Sequence, residues 1–116
     1  MEDHQVNQKQ FNRYLDRDGY CLHCGETEAL APNHRANRGM GGSKARDVPS
    51  NIVVLCSLLN GQIESDARYA ATARRYGWKL DSWDDPLEVP VYDTLKGEWH
   101  LLDNEYGYKV VNQERE

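Results

Sequence analysis

What most restricts the fold of this chain lies between Leu30 and Gly77, where two short apolar runs bracket a glycine-rich loop and lead into a helical pattern. Leu30 to Arg35 reads as a short strand. Ala36 to Ser50, with Gly39, Gly41 and Gly42, reads as a loop, and the β-branched run Asn51-Ile52-Val53-Val54-Leu55-Cys56 reads as a second strand. From Leu58 the run LLNGQIESDARYAATARRYGW repeats at helical period. Leu59, Ile63, Ala67, Ala70 and Ala71 fall toward one side, Arg68, Arg74 and Arg75 fall elsewhere, and Gly77 ends the helix as a C-terminal cap. The order is strand, loop, strand, helix.

The flanks are simpler. Residues 5 to 17 place Phe11, Tyr14 and Leu15 at helical spacing, and Asp18-Gly19 supplies a stop. Beyond Trp78 the chain turns acidic at Asp84-Asp85-Pro86. It then gives three apolar pieces, Val89 to Tyr92, Glu98 to Leu102 and Tyr106 to Val111, separated by turn signals at Lys96-Gly97 and Asn104 to Gly107. A small antiparallel meander follows. His4 and the aromatics of the first helix, and His100 beside Trp99, take packing roles. At 116 residues with no internal repeat, the expectation is one α+β domain over residues 1–116. It divides into an N-terminal helix (1–19), a core (20–77) and an acidic β extension (78–116).

Three cysteines are an odd number, and two of them form Cys21-Leu22-His23-Cys24, so a thiolate knuckle is a better expectation than a disulfide framework. Cys56 adds a third sulfur. The position three residues later, where a second Cys-x-x-Cys would end, is Leu59. Two outcomes stay open: zinc held by the three cysteines with His23 or water, or three reduced cysteines.

A net charge of −5 speaks at first against nucleic acid, because phosphate binding is carried by Lys and Arg. The distribution changes that. Residues 1 to 80 hold 11 basic and 9 acidic side chains, whereas residues 81 to 116 hold 3 and 10. Arg35, Arg38, Lys44 and Arg46 crowd the loop with only Asp47 among them. No apolar run approaches the roughly 18 residues that span a bilayer, and the polar start MEDHQVNQKQ lacks the apolar stretch of a secretory signal. The expectation is a cytoplasmic protein with no membrane partner.

Together, Cys-x-x-Cys, His34-Arg35 ending the first strand, Arg38-Gly39-Met40-Gly41-Gly42, Ser50-Asn51-Ile52-Val53-Val54-Leu55-Cys56 and Ile63-Glu64-Ser65-Asp66 resemble the HNH endonucleases common in actinobacteria and their phages. The resemblance covers roughly residues 15 to 92, including Gly77-Trp78, Asp85-Pro86 and Val89-Pro90-Val91. It implies a ββα-metal finger, in line with the order of elements above, and hydrolysis of DNA phosphodiesters with one divalent ion (Mg²⁺, Mn²⁺ or a transition ion). Such chemistry needs a deprotonated nucleophile and a Lewis acid to hold the charge developing on the phosphate.

Carried over by residue, His34 matches the general base, and Asn51 matches the central Asn that orients the base and holds the loop. Asn33 and Asn60 fall on the two metal-ligand positions. Arg35 and Arg38 match basic positions expected on phosphates, and Lys44 and Arg46 complete the basic loop facing duplex DNA. The matched ligands depart from the family in both being neutral amides, and Glu64, one helical turn after Asn60, is the carboxylate within reach of them. A second reading, from a different class, is an HNH-fold module that binds DNA or a protein without cleaving, with the acidic C-terminal region as the contact surface for a basic partner.

Overall fold

The computed structural model describes residues 7–36 and 47–112. Its first helix, α1 (Gln8–Asp18), starts where the sequence offers a reciprocal cap. The Asn7 side chain accepts from the Gln10 amide at 2.8 Å, and the Gln10 side chain accepts from the Asn7 amide at 3.2 Å. It stops at Gly19, whose φ of 79° brings its N–H onto the Leu15 carbonyl. A cap of this kind contributes about 1 kcal/mol. One face of α1 buries Tyr14 against Ile52 and Val54, with Phe11 and Leu15 beside them.

Two strands, β1 (Leu30–His34) and β2 (Ile52–Cys56), pair antiparallel from Leu30 opposite Cys56 to His34 opposite Ile52. Alternation divides them cleanly. Ile52 and Val54 face α1, while Val53 and Leu55 join the larger core with Leu22, Leu59, Ile63, Trp78 and Leu102. Buried on both faces, β2 reads in the sequence as an unbroken apolar run. Its outer edge is covered too. Val54 donates to the Asp18 carboxylate at 3.0 Å, its carbonyl accepts from Leu22 at 3.2 Å, and Arg17 donates to the Ile52 and Pro49 carbonyls.

The helical run after Cys56 is two helices rather than the single one its period predicts: α2 (Ser57–Ser65) and α3 (Ala67–Arg75). The break is Asp66. Its backbone is extended (φ −134°, ψ 120°), so its amide still closes α2 on the Gln62 carbonyl while its carboxylate accepts from the Arg68 amide and caps α3. A strong N-cap residue outcompetes the helical period there. Gly77 holds the predicted stop with φ 80°, and a β-carbon on it would lie 2.1 Å from the Pro90 carbonyl oxygen.

The C-terminal strands, β3 (Val91–Asp93), β4 (Glu98–Leu102) and β5 (Tyr108–Val111), form an antiparallel meander in chain order. Val91 and Leu102 tie it into the larger core, and Tyr20 donates to the Asp93 carboxylate at 2.6 Å. The described residues are thus α+β, with three α-helices and two small antiparallel sheets. No described helix is long and apolar enough to cross a membrane.

Candidate functional site

Both ends of the β1–β2 hairpin carry the polar chemistry of the chain. At the far end, His34 closes β1 and presents Nε2 to the Asp47 carboxylate at 2.8 Å, with both side chains less than one-fifth exposed. A carboxylate that is ionised only accepts; in that case the proton of this bond is on Nε2, and a neutral ring would carry its lone pair on Nδ1. Among the described residues Nδ1 has no hydrogen-bond partner.

The backbone beside this pair is held by Asn51. Its Oδ1 accepts from the Ala36 amide at 2.9 Å and its Nδ2 donates to the Ala36 carbonyl at 3.0 Å, while its own carbonyl takes the Arg35 amide at 2.7 Å. Asn51 is fully buried. A side-chain amide satisfying both polar groups of one residue reproduces a backbone pairing where the strand has ended.

Arg35 is a correction. The sequence places it among the phosphate contacts, but its side chain is fully buried and donates to four carbonyls: Gly77 from Nε at 2.7 Å, Ser50 and Pro86 from Nη1 at 2.8 and 3.1 Å, and Val89 from Nη2 at 2.6 Å. Strand alternation turns Arg35 inward, on the side of Asn33 rather than of His34. Its guanidinium fixes the segment after α3 against the hairpin. Arg38, Lys44 and Arg46, the other expected DNA contacts, lie outside the described residues.

Asn33 is buried as well, and its Nδ2 donates to the Trp78 carbonyl at 2.8 Å. That bond fixes the amide plane and leaves Oδ1 without a hydrogen-bond partner among the described residues. On α2, Asn60 is half-buried and Glu64, one turn on, is exposed beside a cleft of about 330 Å³ shared with Ser65, Asp66, Ala70 and Lys79. Each follows a core residue, Leu59 and Ile63 respectively, and so lies on the rim of the face that packs on Val53 and Leu55.

At the near end of the hairpin, Cys56 ends β2 opposite Leu30, and the turn after Tyr20 brings up Cys21 and Cys24. The three sulfurs lie within 4.8 Å of one another, with Cys24 and Cys56 4.0 Å apart. Sulfurs sharing a tetrahedral ion with bonds of about 2.3 Å sit about 3.8 Å apart, so the trio can hold a metal with little movement. Burial pushes the Cys21 thiol up to about 11, against backbone amides that favour its thiolate. The Cys56 sulfur also accepts from the Leu59 amide at 3.4 Å and so caps α2. Leu59 itself turns into the core beside Cys21. His23 packs edge-on against Trp78 and is not part of the sulfur group.

Two residues escaped the sequence. Asp47 stood there only as the lone acid of a basic loop, and its place just before Pro49-Ser50-Asn51 was the available signal. Trp78, fully buried, supplies the carbonyl that orients Asn33. Comparison with protein-family models, with curated proteins and with solved structures finds no match.

Proposed function

We propose that this chain is an HNH-type endonuclease that hydrolyses phosphodiester bonds of duplex DNA, built on a ββα-metal core of β1, β2 and α2. The observation that supports it most is the placement of His34: a ring held on Asp47 through Nε2, with Nδ1 lacking a hydrogen-bond partner among the described residues, beside a turn pinned by Asn51. Nδ1 takes a proton from water as the water oxygen bonds to phosphorus. The bond from phosphorus to the 3′ oxygen breaks, and that oxygen takes its proton from solvent. Arg38, Lys44 and Arg46 hold the backbone of the duplex.

The oxygen donors of Asn33, Asn60 and Glu64 are the ones that would hold a hard divalent ion, and the buried Asn33 Oδ1 has no hydrogen-bond partner among the described residues. When bound, such an ion stabilises charge on the phosphate and on the departing oxygen. With one carboxylate in the set its affinity is low. The three cysteines suit a structural zinc, which would tie the turn after α1 to the start of α2.

Supercoiled plasmid incubated with Mg²⁺, Mn²⁺, Ni²⁺ or Co²⁺ tests the assignment. Wild type is expected to nick or linearise it, and His34→Ala to lose at least about 100-fold in rate. Cleavage that survives the substitution removes His34 from the reaction. Asn33→Asp, which adds a charge at the matched ligand, raises metal affinity and rate together. The neutral amides at 33 and 60 favour one other reading, a module that keeps the fold and binds DNA, or a basic protein through residues 78–116, without cleavage. Plasmid left intact with every metal, together with retained binding, would establish it.

A further inference from the structure

We propose that Asp47 is the positioning residue for His34, fixing which ring nitrogen accepts the proton and holding the ring charge that results. The inference rests on the nuclease reading and names a group that reading does not require. The Nε2 to Oδ1 distance of 2.8 Å and the low exposure of both side chains describe a bond largely shielded from water.

The two partners are also mounted on segments of backbone braced against each other. His34 immediately precedes Arg35, whose amide donates to Asn51, and Asp47 enters the 3-10 turn Pro49–Asn51, in which the Asn51 amide donates to the Val48 carbonyl at 2.9 Å. The Ser50 amide donates to the Asn104 side chain at 2.9 Å, which ties the same turn to the meander. Carboxylate and imidazole therefore approach from two segments locked together by Asn51.

The chemistry follows from the proton inventory. With Nε2–H directed at Asp47, the ring cannot turn over to present Nε2 to water without breaking that bond. When Nδ1 takes a proton, the imidazolium faces a carboxylate. Both effects act through His34, and Asp47 need not touch DNA.

Two readouts on the full chain test this. In ¹H NMR, wild type is expected to show a downfield, slowly exchanging imidazole N–H assigned to His34 that disappears in Asp47→Ala. In plasmid cleavage, Asp47→Ala is expected to lower kcat about 100-fold with KM unchanged. Asp47→Asn, which is isosteric and keeps an acceptor, should retain the N–H signal and recover part of the rate. If Asp47→Ala unfolds, Asp47→Asn alone decides, since a wild-type rate in it removes the need for the charge. A wild-type protein without the N–H signal, or an Asp47→Ala variant that cleaves as fast as wild type, overturns the proposal and leaves His34 as base. A wild type that shows the signal but leaves plasmid intact with every metal overturns the nuclease reading, and the role of Asp47 with it.

Discussion

The two ends of the β1–β2 hairpin are finished by opposite means. At the His34 end, among the described residues, three strong donors have carbonyl or carboxylate acceptors within the chain: Arg35 on four carbonyls, Asn51 on Ala36, His34 on Asp47. At the Cys56 end three thiols face one another, and Cys24 is exposed. Thiols are weak donors and weak acceptors, so this end gains little from their proximity alone. One end is closed by the protein itself; the other brings together three sulfurs that could hold an ion. A rigid, self-satisfied frame suits a group that must hold a proton at one atom, whereas a thiol trio suits a site whose order depends on its ligand.

If the His34 end is self-closed, removing its central donor should be the most damaging single change in the chain. Arg35→Ala removes the donor from four carbonyls, those of buried Ser50 and Gly77 and of half-buried Pro86 and Val89, and is expected to cost about 3–5 kcal/mol, enough to unfold much of the protein at 37 °C. Urea unfolding followed by circular dichroism measures it. A stable Arg35→Ala protein that has lost DNA affinity would return this side chain to the phosphate backbone and break the comparison. Gly77→Ala comes next, on the order of 3 kcal/mol, because the added carbon meets the Pro90 carbonyl and the φ of 80° is strained for alanine. Its effect should not add to that of Arg35→Ala, since the Gly77 carbonyl is one of the four acceptors. Asn51→Ala leaves one buried amide and one carbonyl of Ala36 unmet, at about 2 kcal/mol, and should broaden the His34 resonances while leaving those around Cys21 sharp.

Much of this frame was legible in the chain itself, and the exceptions have physical causes. The two strands, the meander and the helix stop at Gly77 each carry a local signal, a β-branched run, a turn dipeptide or a glycine, that no distant contact overrides. The convergence of Cys21, Cys24 and Cys56 was legible as well, since a knuckle before one strand and a cysteine at the end of its partner meet in an antiparallel pair. Asp66 was missed because capping and helical period compete at one residue, and period is the more visible of the two. Arg35 was misplaced because an arginine in a basic loop reads as solvent-facing, whereas its acceptors lie 15 to 54 residues away along the chain. Asp47 was missed for the same reason: its value comes from a histidine thirteen residues earlier that only the hairpin brings back.

The Cys56 end yields the smallest effect and the sharpest discrimination. Leu59 stands where a second Cys-x-x-Cys would end, with its amide already on the Cys56 sulfur and its side chain in the core cluster that also holds Cys21. In metal-free protein, Leu59→Cys removes buried apolar volume and should cost about 1 kcal/mol or slightly more. With Zn²⁺ present the order should reverse. The variant gains a closed four-thiolate site, and an ion at 100 times its Kd contributes about 2.7 kcal/mol to the folded state. Thermal melts of both proteins, with and without zinc, and Co²⁺ absorption to count sulfur ligands, read the two halves of the cycle separately. Wild type should bind one equivalent through three sulfurs. If neither protein takes up metal, the trio is three reduced cysteines, and the two ends of the hairpin differ in polarity rather than in their need for an ion.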